Sequence, residues 1–152
     1  YNLHVMLRFD LERALVRGDL TVSDLPVAWD DRFEQDFGIR PANAAEGVLQ
    51  DIHWSAGLIG YFPTYTLGNV YAAQMMSAIE RDLPGLPVDM AAGRFGSLLG
   101  WLRERVHHHG RLIDPDRLVA GATGSPISEK WLVESLWMRY GPAHGLEPRP
   151  SA

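Results

Sequence analysis

The stretch that decides the fold class is PTYTLGNVYAAQMMSAIER, residues 63–81. Its side chains repeat at intervals of three and four, which places one set of them on a single face of an α-helix. A break follows at residues 83–87, LPGLP, where two prolines and a glycine cannot continue a helix. The sequence therefore predicts a long amphipathic helix, whose packed face is formed by Leu67, Val70, Tyr71, Gln74, Met75, Ala78 and Ile79.

Two more helices are predicted on the N-terminal side of this stretch. Residues 1–16 show helical apolar spacing from the first position, and Gly18 is placed to end that helix. An Asp-Leu-Pro sequence at 24–26 favours the start of a second helix, which we expect to stop at Gly38. Residues 39–60 fit neither period and predict an irregular loop with one or two short helical turns.

On the C-terminal side, the pattern predicts an amphipathic helix over 88–108, a short helix over 116–122 and a last helix from Ser128. No segment alternates convincingly between apolar and polar residues as a half-buried strand would. We therefore expect an all-α protein of about six helices, with residues 1–141 in one helical region and residues 142–152 as a flexible tail.

The composition excludes several classes of function. The net charge of −5, without any run of Lys or Arg, argues against nucleic acid or an anionic membrane as the main partner. No stretch approaches the ~20 consecutive apolar residues that a membrane span needs. Cysteine is absent, which excludes disulfides and thiolate chemistry. Because a helix begins at residue 1 without a cap, we expect the chain to continue a longer protein.

The six histidines form no familiar metal motif. None belongs to an H-E-x-x-H pair, in which two imidazoles lie one turn apart on a helix. Consecutive helical residues point ~100° apart, so we interpret His107-His108-His109 as an exposed helix end and not as a metal site. His4 stays open between a buried, hydrogen-bonded core residue and a functional one.

The chemically versatile side chains concentrate in two segments, GVLQDIHW at 47–54 and YFPTYTLGN at 61–69. Tyr61 and Tyr65 are four residues apart and would share one helix face, next to the loop that carries His53. An imidazole and two phenols directed at one point can donate hydrogen bonds to an oxyanion or a carboxylate. A structural alternative is also open, in which the loop carboxylate caps a turn and the tyrosines pack with their hydroxyls outward.

The first segment, Gly47-x-x-Gln50-Asp51-x-His53-Trp54, resembles the G-x-x-Q-D-x-H-W motif of the carboxypeptidase Taq family of zinc metallocarboxypeptidases. The stretch 60–69 is similar to that family's next segment, and the opening Tyr-x-x-His resembles the end of another family motif. Members are longer, mostly α-helical proteins that resemble neurolysin and angiotensin-converting enzyme in fold. The resemblance implies that this chain is the C-terminal helical part of such a peptidase.

The resemblance also implies roles for particular residues. His53 and Tyr65 would donate hydrogen bonds to the tetrahedral oxyanion formed during peptide hydrolysis. Tyr61 would lie near the C-terminal carboxylate or the last peptide bond of the substrate. Tyr1 and His4 belong to a helix that the family places along the cleft, where they would contact the peptide.

Supporting roles and partners follow from the same resemblance. Gln50 and Asp51 would orient His53 without touching the substrate. The family's zinc ligands, two His and a Glu, lie upstream of the segments present here. We therefore expect this chain to bind no zinc and to be inactive alone, although zinc serves the intact enzyme. The expected partners are a peptide C-terminus, the N-terminal part of the same cytoplasmic enzyme and a second copy in a homodimer.

Two rival functions stay open beside the peptidase. One is a stand-alone helical peptide-binding module that lacks catalysis. The other is an oligomerisation domain whose contact surface is formed by Trp101, Trp131 and Trp137.

Overall fold

The computed structural model describes residues 1–147, and within that range it contains α-helices, short 3₁₀ turns and no strand. The predicted all-α class is confirmed. No helix of this described range is both long enough and apolar enough to cross a membrane. The helices are α1 (Asn2–Arg17), α2 (Leu25–Phe37), α3 (Thr64–Asp82), α4 (Leu86–Ala91), α5 (Gly96–Arg105), α6 (Pro115–Thr123) and α7 (Lys130–Tyr140).

The chain divides into two compact units, and the boundary lies within α3. Unit 1 is Tyr1–Leu67, which contains α1, α2, the following loop and the first turn of α3. Unit 2 begins at Gly68 and contains the rest of α3 together with α4 to α7. Each unit has its own group of buried apolar side chains.

The core of unit 1 lies between α1 and α2. Apolar residues at helical spacing on α1 meet Trp29 of α2, which is only 2% exposed. Each fully buried leucine or valine side chain in such a core stabilises the fold by about 1.5–3 kcal/mol relative to an exposed one. As predicted, α1 ends at Gly18, whose left-handed backbone (φ 79°) closes the last turn. The buried members of this core are Leu7, Leu11, Leu25, Trp29 and Val48.

The core of unit 2 is formed by α3, α4, α5 and α6. Trp101 lies within it, 6% exposed, and its indole N–H donates to Oδ2 of Asp82 over 2.9 Å. The expectation that Trp101 contributes to a contact surface is therefore wrong. The buried members of this core are Ala78, Ile79, Leu86, Trp101 and Ala122.

The helix predicted over 88–108 is divided in the structure. Between α4 and α5 the chain turns at Gly93, whose φ of 73° is easily adopted only by glycine. The Arg94 amide donates to the Asp89 carbonyl over 2.8 Å, and the side chains of the same two residues form an ion pair. The apolar period continues across this turn, so spacing alone did not reveal it. After α5, His107–His109 form an exposed 3₁₀ turn, as predicted for a helix end.

The predicted tail over 142–152 is described only in part, because residues 148–152 lie outside the described range. A 3₁₀ turn covers Pro142–His144. The indole N–H of Trp137 on α7 donates to the Glu147 carbonyl over 2.8 Å. The segment up to Glu147 is therefore tied to α7.

Candidate functional site

Phe62 is the centre of an aromatic cluster in unit 1. Its buried ring lies with ring-centroid distances of 6.5 Å to Tyr1, 5.6 Å to His4, 5.1 Å to His53 and 5.2 Å to Tyr65. These contacts are edge-on, the arrangement that aromatic quadrupoles favour. Four of the side chains predicted to act on a peptide therefore meet around one apolar ring.

Tyr61 joins this group because of how α3 begins. Pro63 precedes the first helical residue, and the Thr64 hydroxyl donates to the Tyr61 carbonyl over 2.6 Å. This turn brings the Tyr61 and Tyr65 rings to a centroid distance of 5.6 Å, almost perpendicular to each other. The His53 imidazole stacks on Tyr61, with centroids 5.7 Å apart and an interplanar angle of 20°. The imidazole and both phenols thus converge, although Tyr61 lies in the turn before α3 and not, as expected, on a helix face shared with Tyr65.

Both phenols reach the surface, and Tyr65 keeps its hydrogen at neutral pH. Tyr61 is 46% exposed and Tyr65 is 38% exposed. Partial burial raises the pKa of Tyr65 above its usual range, and the charge and hydrogen bond of neighbouring Tyr61 raise it further. At neutral pH Tyr65 is therefore an O–H group, which can donate to an oxygen that carries negative charge.

Arg8 is a buried partner of His53 that the sequence reasoning did not single out. It projects from α1, is 5% exposed, and its Nη2 lies 3.4 Å from Nδ1 of His53. The same guanidinium forms a buried ion pair with Asp51. Its central carbon lies 3.4 Å from the centroid of the Phe62 ring, a cation–π contact. Removing one partner from such a buried ion pair typically costs ~3–5 kcal/mol.

Glu12 holds the same loop one turn further along α1. It is 7% exposed, and Oε2 accepts the indole N–H of Trp54 over 2.7 Å. Oε1 accepts the backbone N–H of Gly60 over 2.6 Å. Both carboxylate oxygens are therefore used to fasten the loop that carries His53.

The two residues predicted to orient His53 have different positions. Asp51 accepts the Trp54 backbone N–H at Oδ1 over 2.7 Å and pairs with Arg8, so its link to His53 passes through the guanidinium. The exposed Gln50 side chain instead donates to the Ala45 carbonyl. The structural alternative, in which Asp51 caps a turn, thus describes part of the loop correctly.

Gly47, the first residue of the motif, is required by close packing. A Cβ built at this position would lie 3.0 Å from Oδ1 of Asp30 and 3.2 Å from Cβ of Pro41. Both distances are shorter than ordinary van der Waals contact, so any larger residue would displace the turn that leads to Asp51.

The sequence of α1 contains a pattern that indicates Arg8 and Glu12, although neither residue was among the predicted site residues. His4, Arg8 and Glu12 are spaced four apart and share one helix face, next to the buried Leu7 and Leu11. Charged residues beside the apolar stripe of a helix are costly unless they are paired. That pattern indicates buried partners, although it does not name them.

His4 lies half-buried between Phe62 and Trp29, 5.8 Å from the Trp29 ring centroid. Burial lowers the pKa of His4 below its usual range, and the positive charge of Arg8 lowers it further. The imidazole is consequently held neutral and packed within the cluster. This arrangement resembles the core alternative more than a freely exposed substrate contact.

The described residues do not fit a metal ion. Within residues 1–147, no group of three or more His, Cys, Asp or Glu side chains is arranged to hold one. The zinc that the sequence resemblance implies therefore finds no ligand set in this part of the chain, which offers hydrogen-bond donors instead.

Comparison with known proteins connects this geometry to a family. A family model described as carboxypeptidase Taq (M32) metallopeptidase matches residues 1–140. Thermostable carboxypeptidase 1 from Thermus thermophilus is 43% identical over 145 residues, which cover 95% of this chain and 28% of that protein. Its namesake from Pyrococcus furiosus is 41% identical over 140 residues, again 28% of its length.

Solved structures agree with this assignment. The M32 carboxypeptidase of Deinococcus radiodurans superimposes with a TM-score of 0.91 at 44% identity, covering 96% of this chain and 30% of that one. Trypanosoma cruzi metallocarboxypeptidase 1 gives a TM-score of 0.87 at 38% identity, covering 93% and 30%. The chain thus spans less than a third of the length of the relatives that it matches. On sequence and on structure, this chain belongs to the carboxypeptidase Taq (M32) family of metallopeptidases.

Proposed function

We propose that the chain is the C-terminal part of a zinc metallocarboxypeptidase that releases single amino acids from the C-termini of peptides. Within that enzyme it supplies one wall of the substrate groove and two oxyanion donors, and it is inactive by itself. On the family resemblance alone, we extend the proposal to a cytoplasmic homodimer that acts on unfolded chain ends.

The observation that carries this proposal is the convergence of His53 and Tyr65, whose ring centroids lie 6.0 Å apart in an edge-on arrangement. An imidazole N–H and a phenol O–H can approach one oxygen from two directions. Preorganised donors of this kind stabilise charge that develops in the transition state, typically by about 3–4 kcal/mol each. The raised pKa of Tyr65 keeps its phenol in the donating form.

Substrate contacts are assigned to the rest of the cluster. Tyr61 presents a half-exposed phenol beside His53, where it can bind the terminal carboxylate or the last peptide bond. Tyr1 is 67% exposed and lies edge-on to Tyr65, so it extends the same surface. Zinc, when bound by the intact enzyme, would supply an activated water. This chain's own residues bind, orient and donate hydrogen bonds.

His53→Ala and Tyr65→Phe are expected to lower kcat/KM of the full-length enzyme by about 10²–10³-fold each, because each removes one oxyanion donor. Metal content, measured by elemental analysis, should stay unchanged in both variants. Tyr140→Phe removes an exposed phenol of unit 2 and serves as the matched control with unaltered kcat/KM. Loss of metal in either site variant would instead assign that residue to the metal centre, and unaltered kcat/KM would refute the donor role.

The gene separates this proposal from a stand-alone peptide-binding module. An H-E-x-x-H segment encoded upstream of Tyr1, in the same reading frame, supports the peptidase. A reading frame that starts close to Tyr1 supports the binding module instead.

A further inference from the structure

The contact between Arg8 and His53 bears on which imidazole nitrogen carries the hydrogen. A guanidinium has five N–H donors and no acceptor. The ring nitrogen that lies 3.4 Å from Nη2 of Arg8 is Nδ1 of His53. Nδ1 must therefore accept, which leaves the hydrogen of the neutral ring on Nε2.

The position of Arg8 is fixed from several sides. Its guanidinium pairs with Asp51, and both side chains are almost fully buried, with 5% and 2% exposed. The Phe62 ring packs against the guanidinium face at 3.4 Å, and Trp54 lies 5.5 Å away. One Nη2 nitrogen carries two hydrogens, so it can serve the Asp51 carboxylate and His53 Nδ1 together.

We infer that Arg8 is a positioning residue, which holds His53 in the Nε2–H tautomer and so makes Nε2–H the oxyanion donor. The role of Nε2–H as an oxyanion donor rests on the proposed function. The tautomer itself follows from the Arg8 contact. Tyr61 stacked on one face of the imidazole and Phe62 at its edge limit the rotation that would exchange the two nitrogens. Asp51 acts through Arg8 in this arrangement.

The direct test is histidine-selective ¹⁵N NMR of the full-length protein that carries this chain. The sample is held at about pH 8.5, above the ordinary imidazole pKa, and the His53 signals are assigned by their loss in His53→Gln. We expect Nδ1 to have the chemical shift of a bare nitrogen and Nε2 that of a protonated one. The opposite pattern, with hydrogen on Nδ1, would overturn the inference.

The variant that tests causation is Arg8→Met with Asp51→Asn. The two substitutions together remove both charges, so neither charge is left buried without its partner. The Asn side chain keeps an oxygen that can accept the Trp54 backbone N–H. We expect the His53 shifts to move toward the average of exchanging tautomers, and kcat to fall about tenfold or more while KM changes less. Shifts and kcat equal to those of the wild type would show that Arg8 does not set the tautomer.

Two controls keep the outcomes distinct. Arg13→Met also removes an arginine of α1, one that packs on Phe9 away from the cluster, and it should leave both shifts and kcat unchanged. If the double variant does not fold, the wild-type spectrum alone decides the tautomer. If that spectrum shows Nε2–H but His53→Ala keeps full activity, the oxyanion role fails and the tautomer assignment stands.

Discussion

His4 is a side chain whose protonation opposes folding of unit 1. Burial lowers the pKa of His4, and the charge of Arg8 lowers it further. An unfolded histidine titrates near pH ~6.5, so on acidification the unfolded chain takes up this proton before the folded chain does. The contribution of neutral His4 to the free energy of unfolding is therefore fully present above about pH 6.5. It is lost as the pH falls toward the pKa of His4 in the folded chain.

His4→Phe is expected to remove this part of the pH dependence, because Phe keeps the ring contacts with Trp29 and Phe62 and cannot be protonated. The measurement is the free energy of urea unfolding at about pH 7.5 and about pH 5.5, within the window where neutral and charged imidazole exchange. His108→Phe, at an exposed position, should retain the wild-type decrease. Equal decreases in wild type and His4→Phe would contradict the assignment.

The sequence predicted which phenols and imidazoles gather, but not what holds them. Tyr61 and Tyr65 are four residues apart and are joined by the turn that leads into α3, so their proximity follows from local geometry. His53 and Arg8 are 45 positions apart in sequence. Their contact depends on how α1 packs against α2 and the loop, and spacing within one element carries no information about that packing.

At the scale of elements, the buried side-chain amide of Gln74 on α3 forms hydrogen bonds with the segment between α6 and α7. The Gln74 side chain is 1% exposed, and Nε2 donates to the Thr123 hydroxyl and to the Ser125 and Pro126 carbonyls, each over 3.0 Å. Its Oε1 accepts the Ser128 backbone N–H, also over 3.0 Å. A glutamine on an apolar helix face thus organises the start of α7.

Gln74→Leu is expected to destabilise the protein by about 1–3 kcal/mol, because a side chain of similar size gives up hydrogen bonds to the buried Thr123 hydroxyl and to part-buried backbone groups. Chemical denaturation measured by circular dichroism provides the comparison. Gln35→Leu, at an exposed position of α2, should change stability by less than about 0.5 kcal/mol. A Gln74→Leu variant with the free energy of unfolding of the wild type would show that the hydrogen bonds of this amide do not contribute to stability.

Helix ends were predictable where a residue type dictates the backbone. Gly18 and Gly38 both adopt left-handed backbone conformations and end α1 and α2, as expected from sequence. The division between α4 and α5 escaped prediction, because apolar spacing continues across Gly93 and a single internal glycine is compatible with a helix. Only the Arg94–Asp89 contacts of the folded chain show that the turn is closed there.

For the molecule as a whole, the expected result is that the chain produced by itself contains no stoichiometric zinc and cleaves no peptide. The described residues hold the proposed donors but no ligand set for a metal. Elemental analysis and a C-terminal amino-acid release assay measure the two properties. One tightly bound zinc per chain, lost when His107 and His109 are both replaced by Ala, would contradict the interpretation of that turn as an exposed helix end.

The hydrogen bonds that Trp54 and Gly60 donate to Glu12 affect the entropy that is lost when a ligand binds. These contacts join α1 to residues 42 and 48 positions later, so the loop that carries His53 is ordered as unit 1 folds. Ordering a flexible loop when a ligand arrives would subtract from affinity at every encounter. Here the loss of conformational freedom occurs once, during folding, so the proposed peptide substrate would meet a loop that is already ordered.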